Sequence, residues 1–296
     1  MIKPNFFLIG APRCGTTALS EYLRFHPNIF ITTPKEPHYF STDLPSFRVV
    51  TQLEDYLGLF AKSELQPIIG EASTSYIYST VALDNIYQFN KNAKIIMMVR
   101  NPIDMAYSLY SEFFSQAYED QDSFNKAWNL QADRKTGMIL SPYESMTLQY
   151  GEICSLGKHL EHVYSLFPSE QVKVIVFDDF IKSTINVYKE VLLFLEVDYD
   201  DRIEFPKVNE NKIRRLQKFN IFLQQPPKVI SDFFNYWNFV RITKNFILQH
   251  VHRWNSTNIK RHPLSNDFRR ELADYFQDDV KKLSQLLDKN LMYWLD

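Results

Sequence analysis

The run Gly10-Ala-Pro-Arg-Cys-Gly15-Thr16-Thr17 has the G-x-x-x-x-G spacing of a loop that wraps an anion, and Thr17 stands where such a loop keeps its Ser or Thr. The apolar residues Phe6 to Ile9 before it read as a strand, and those from Thr17 to Phe25 read as a helix. A strand ending in this kind of turn aims backbone N–H groups inward, and the positive end of the following helix faces the same point. The lysine that a nucleoside triphosphate loop requires is absent. Thr16 occupies its place, and the basic residue is Arg13, inside the loop. Metal-dependent phosphoryl transfer also needs a carboxylate at a neighbouring strand end to hold magnesium. The strand Ile95 to Val99 is followed by Arg100-Asn101-Pro102, with no Asp, which argues against that chemistry. The plain alternative for the loop is an ordinary strand-to-helix turn.

Arg100 marks a second candidate anion site. Pro102 suits the first turn of a helix, which puts Ser108 about two turns farther along. An arginine fork matches phosphate geometry, and each charged hydrogen bond contributes roughly 1.5–3 kcal/mol. The competing reading pairs Arg100 with Asp104 or Glu112 and turns Ser108 against a neighbouring helix. Two anion sites at neighbouring strand ends point to one nucleoside carrying phosphates at both ends.

Positioning these groups requires a sheet. Phe6 to Ile9, Ile68 to Gly70, Ile95 to Val99 and Val172 to Phe177 are continuous rather than alternating apolar runs, as parallel strands buried on both faces are. Thr17 to Phe25, Val81 to Phe89, Ile103 to Tyr118, Gly151 to Phe167 and Thr184 to Leu195 carry apolar residues at helical spacing. This alternation predicts an α/β fold: a three-layer, P-loop-like arrangement with a central parallel sheet flanked by helices, plus helical C-terminal additions. Ligands of such sheets lie beyond the carboxyl ends of the strands, where both motifs fall. No linker divides the 296 residues, so a single domain is expected. Within it, Lys207 to Arg261 holds eleven basic residues against Glu210 and Asp232, a balance of +9, interleaved with aromatic residues such as Phe219, Trp237 and Trp254. That region is either a set of amphipathic helices with solvated basic faces or a wall that covers an anionic ligand and its acceptor. Leu264 to Leu291 reads as a closing helix.

A net charge of −2 with 45% apolar residues excludes bulk nucleic-acid binding, and no apolar run reaches the roughly 18 residues of a membrane span. With a glycine loop this early, no signal peptide is expected. Cys14 and Cys154 make no disulfide framework, so a reducing, cytoplasmic setting is expected. Oligomeric state is not legible.

With these motifs in view, the chain resembles the sulfotransferases that use 3′-phosphoadenosine 5′-phosphosulfate (PAPS) and release 3′-phosphoadenosine 5′-phosphate (PAP). "GAPRCGTTAL" is similar to their 5′-phosphosulfate loop, which implies that Arg13, Cys14, Gly15, Thr16, Thr17 and Ala18 hold that end. "VRNPIDMAYSLY" is similar to their 3′-phosphate segment, which implies the same of Arg100 and Ser108. "TPKEPHYFS" and "GEASTSYIYS" resemble acceptor-side segments of the heparan sulfate sulfotransferases and their bacterial relatives. "NIKRHP", with Lys260 and Arg261, resembles a basic loop that folds over the nucleotide, and the closing "RRELADYFQDDVKKLSQLLDKNLMYWL" resembles the family's terminal helix. A sulfuryl group carries less charge than a terminal phosphoryl group, so the missing lysine and aspartate, and a metal, are dispensable. The chain departs from the pattern at Arg13, where the family usually has Lys. It departs again at Ala72, where the heparan enzymes have Lys, and between Lys260 and Arg261, where their Gly is absent.

The resemblance implies sulfuryl transfer to a hydroxyl or amine of a small or medium-sized acceptor by in-line displacement, with Arg13 steadying the leaving 5′-phosphate. Glu36 is then the leading general base, the competing reading being a surface carboxylate paired with Lys35. His38 is the rival, its intrinsic pKa being nearer neutrality. Glu71 and Ser73 are expected on the acceptor side, with a buried pairing to an Arg as the competing reading for Glu71. Two other readings stay open: a metal-dependent small-molecule or nucleotide kinase with an aberrant loop, and a non-catalytic nucleotide-binding protein that docks a partner.

Overall fold

The uninterrupted apolar runs form one parallel sheet in the computed structural model, which describes residues 2–63, 65–206, 208, 212–214, 256–258 and 263–296. Its strands are β1 (Phe6–Gly10), β2 (Ile29–Ile31), β3 (Ile68–Ala72), β4 (Lys94–Val99) and β5 (Val172–Val176), in the order β2-β3-β1-β4-β5. All neighbours run parallel; Leu8 pairs with Ala72, and Val99 with Val176. Phe6 to Ile9 and Ile95 to Val99 have no solvent exposure, which is why these strands need no polar face. The sequence carries no clear signal for strand β2. It is three residues at a sheet edge, too short for a periodic signal.

In chain order the helices are α1 (Thr16–Arg24), α2 (Leu53–Gly58), α3 (Ala82–Phe89), α4 (Pro102–Ser115), α5 (Phe124–Asn129), α6 (Gln131–Thr136), α7 (Tyr150–Ile153), α8 (Leu156–Leu166), α9 (Phe177–Lys182), α10 (Thr184–Leu195) and α11 (Asn266–Leu286). The helix expected from Gly151 to Phe167 is two helices. The Asp279 carboxylate accepts hydrogen bonds from the Gly157 and Lys158 N–H groups, 2.8 Å each, and so caps a new start at α8. Gly157 allows the approach, since a Cβ there would meet the Asp279 carbonyl at 2.4 Å.

The chain divides into two compact units. The first comprises Met1–Ala106, Tyr150–Val208 and Asn266–Asp296, and contains the five-stranded sheet with helices against it. The chain's last residues brace the turns after β4 and β5: Asn101 Nδ2 donates to the Trp294 carbonyl (2.6 Å), and Trp294 Nε1 donates to Asp178 (2.7 Å). The second unit comprises Tyr107–Gln149 and Asn209–Ser265. Within it Arg134 and Glu119 form a two-pronged ion pair (2.7 and 2.8 Å) with both side chains essentially unexposed. The Asp120 and Gln121 N–H groups supply further donors to Glu119, as a buried carboxylate demands. Two short strands, β6 (Lys212–Arg214) and β7 (Ser256–Asn258), pair antiparallel there. The rest of the basic segment, including Lys260 and Arg261, lies outside the described residues.

Candidate active site

The carboxyl ends of β1, β3 and β4 lie side by side and carry Arg13, Ser73 and Arg100 in the turns that follow. At the first of these ends Gly15 caps α1 in a left-handed conformation (φ 89°), and no side chain caps the helix, so the first-turn amides face the loop. Thr16 is buried, whereas Thr17 and Ala18 are half-exposed. Cys14 is buried with its Sγ against the Pro12 carbonyl (3.4 Å) and Met105 Sδ (3.7 Å), and its N–H reaches the Ala11 carbonyl at 3.4 Å. Burial pushes its thiol up to about 12 despite nearby Arg100 and Arg13, so the thiol is no nucleophile.

Arg100 Nη1 donates to the Arg13 carbonyl (3.1 Å), tying the end of β4 to the loop after β1. Its guanidinium lies 4.9 Å over the Phe177 ring, and the same ring closes on Gly15, where a Cβ would meet it at 3.0 Å. Asn101 Oδ1 accepts from the N–H groups of Ile103 (2.9 Å) and Asp104 (3.3 Å), capping α4 with Pro102 in its first turn. Ser108 lies farther along α4, in the second unit, and is buried.

The Lys35–His38 loop docks on the end of β3: the Glu36 N–H donates to the Ala72 carbonyl (3.0 Å), and the His38 N–H donates to Ser73 Oγ (3.1 Å). Glu36 Oε1 accepts from Lys35 Nζ (2.7 Å) and Thr74 Oγ1 (3.2 Å), while Oε2 lies 3.5 Å from His38 Nε2. Lys35 Nζ also donates to Thr17 Oγ1 at 3.3 Å, so the acceptor-side loop touches the anion loop. Partial burial pushes the Glu36 carboxyl up, but the hydrogen bond from His38 and the Lys35 charge outweigh it and hold Glu36 at about 2. Arg13, Glu36 and His38 all have left-handed backbones (φ 63°, 64° and 52°). Each such residue costs about 1–3 kcal/mol and persists only where its surroundings impose it.

His38 is buried, and its Nδ1 lies 2.6 Å from Ser75 Oγ, which is 2.8 Å from Ser41 Oγ. A carboxylate only accepts, so the ring N–H that faces Glu36 is on Nε2, and Nδ1 accepts a hydrogen bond from the Ser75 hydroxyl. Ser75→Ala removes that donor and releases the tautomer. Turnover should fall about ten-fold, and the ¹⁵N shifts of the His38 ring should move toward a mixed tautomer. Unchanged shifts would detach Ser75 from this role. Neither Ser41 nor Ser75 stands out in the sequence, because their partner lies more than thirty positions away.

Glu71 and Ser73, expected on the acceptor side, have no solvent exposure in the folded protein. Both lie beneath the loop, with Ser73 engaged by the His38 backbone. Neither Glu71 oxygen has a hydrogen-bond partner among the described residues, although the Tyr76, Tyr56 and Ser73 hydroxyls are near enough to temper its environment. Burial therefore raises Glu71 from 4.5 to about 7. Between these values the folded protein holds a proton that the unfolded chain has lost, so stability falls as pH rises and levels off above the folded value. Glu71→Gln should flatten that slope, a change on the order of 3 kcal/mol in urea unfolding across the window. A mutant that keeps the slope would refute the assignment.

Residues 3–286 match the family model described as "Sulfotransferase domain". The chain is 32% identical over 191 residues to mouse "Carbohydrate sulfotransferase 15", covering 50% of this chain and 32% of that protein. It is 26% identical over 194 residues to mouse "Heparan sulfate glucosamine 3-O-sulfotransferase 5", covering 66% and 54%. The chain thus spans about a third to a half of the length of these relatives. Among solved structures, a sulfotransferase from Alicyclobacillus acidocaldarius aligns over 100% of both chains with a TM-score of 0.75 and 24% identity, a likeness of fold. With the family model covering both units and nearly all the chain, this protein belongs to the sulfotransferase-domain family.

Proposed function

We propose that this protein transfers a sulfuryl group from PAPS to a hydroxyl or amine of a small or medium-sized acceptor, with a sugar as the leading class. The observation that carries the reading is the contact of the two loops: one lysine touches both Thr17 of the anion loop and the Glu36 carboxylate. A base and an anion cradle within one side chain's reach is what in-line displacement requires. The sugar class rests on the names of the two curated relatives, a carbohydrate and a heparan sulfate sulfotransferase.

The cradle fits the donor: uncapped amides open α1, Gly15 adopts a turn that a side chain would strain, and Arg13 and Arg100 bring positive charge. When bound, the donor supplies an activated sulfuryl group. Arg13, with the loop amides, holds the 5′ anion, and Arg100 takes the 3′-phosphate. Glu36 accepts the acceptor's proton at a carboxylate oxygen. His38, whose Nδ1 is engaged by Ser75 and whose Nε2–H faces Glu36, orients that carboxylate. Metal independence belongs to this reading. It is supported by the Arg-Asn pair after β4, where a metal-holding Asp would stand. A cytoplasmic setting is likewise a proposal, supported by two unpaired, buried cysteines.

The test is direct. Calorimetry with PAP in EDTA should show binding, and ³⁵S-labelled PAPS should pass label to one member of a panel of sugar acceptors. Binding that appears only with Mg²⁺, or ATP-dependent labelling of the same panel, would favour a kinase instead.

A further inference from the structure

Lys35 is not part of the loop motif, yet it reaches the loop. Its side chain is 16% exposed, and its ammonium bridges Glu36 Oε1 (2.7 Å) and Thr17 Oγ1 (3.3 Å). Thr17 is the neighbour of Thr16, the position at which a triphosphate loop keeps its lysine. A second positive charge, besides Arg13 within the loop, therefore stands at the rim next to Thr16, delivered from another strand end. The same contact poses a chemical problem. A carboxylate that an ammonium grips at 2.7 Å has little affinity for the proton that a general base must take.

We propose that Lys35 is a further catalytic residue: its ammonium passes from Glu36 to the 5′ anion of the bound donor, supplies the charge of the missing loop lysine, and frees Glu36 to act as base. This rests on the sulfuryl-transfer reading above. The exchange is favoured because Glu36 offers one negative charge, whereas a phosphosulfate offers more than one, beside a helix N-terminus that is already positive. In the displacement the acceptor oxygen–sulfur bond forms, and the bond from sulfur to the bridging oxygen breaks with its electron pair left on the 5′-phosphate. The acceptor proton goes to Glu36, and Lys35 meets the charge arriving on the leaving group.

A double-mutant cycle read by PAP calorimetry tests this without any acceptor. If Lys35 binds the nucleotide's 5′ anion, Lys35→Met should weaken PAP about ten-fold or more in a Glu36→Gln background, as loss of a charged hydrogen bond does. Lys35→Arg in that background should recover most of the affinity. If Lys35 only neutralises Glu36, Lys35→Met should change nothing once Glu36 is Gln, and that outcome overturns the proposal. The paired variant removes one charge of each sign from a partly exposed site, and a thermal melt confirms its fold. Wild-type protein that is folded yet ignores PAP would instead remove the donor reading, and the Lys35 role with it.

Discussion

Glu36→Gln is expected to lower sulfuryl transfer by about a hundred- to ten-thousand-fold, the contribution of a positioned general base, while PAP binding persists or tightens. Glutamine keeps the size of the side chain and can still face His38 and Thr74, so the loop that docks on β3 has no reason to move. What disappears is the proton acceptor, together with a negative charge beside the anion cradle. The first loss lowers kcat and the second favours the nucleotide, a split that unfolding cannot imitate. Because Lys35 and His38 hold Glu36 well below the usual carboxylate range, at about 2, the carboxylate is ionised around neutral pH. The acid limb of kcat/KM, which reports the free enzyme, should therefore show no Glu36 titration above roughly pH 3. Turnover near wild type in Glu36→Gln would end the assignment and return the base to His38.

Arg100→Ala should weaken PAP about ten- to a hundred-fold and adenosine 5′-phosphosulfate, which lacks the 3′-phosphate, far less. The ratio follows from losing one or two charged hydrogen bonds at roughly 1.5–3 kcal/mol each. Arg100 also braces the anion loop through the Arg13 carbonyl, so a general collapse of the loop is the competing explanation. Collapse would weaken both nucleotides equally, and that result would remove Arg100 from the 3′ site. Arg100→Lys separates charge from geometry: it keeps the cation but loses the planar fork and the stacking on Phe177, so a partial loss of affinity is expected.

Both residues stand out in the sequence, for different reasons. The strands announce themselves because a parallel strand covered on both faces must be apolar throughout, as Phe6 to Ile9 and Ile95 to Val99 are. The anion loop and the start of α4 are equally local: Gly15 provides a backbone that other residues resist, and Asn101 and Pro102 suit the helix start they occupy. Such features depend on neighbours a few residues apart, and spacing along the chain encodes them. The tertiary structure alone decided what the side chains meet. Lys35 reaches Thr17, and His38 reaches Ser75, because β3 pairs with β1 and the loop after β2 docks across the end of β3. Packing withdraws Glu71 from water and lifts its pKa, while Glu36, in the loop after the preceding strand, is driven the opposite way. A residue's identity says that it can carry charge; the dielectric and the partners that set its proton affinity come only from the folded arrangement around it.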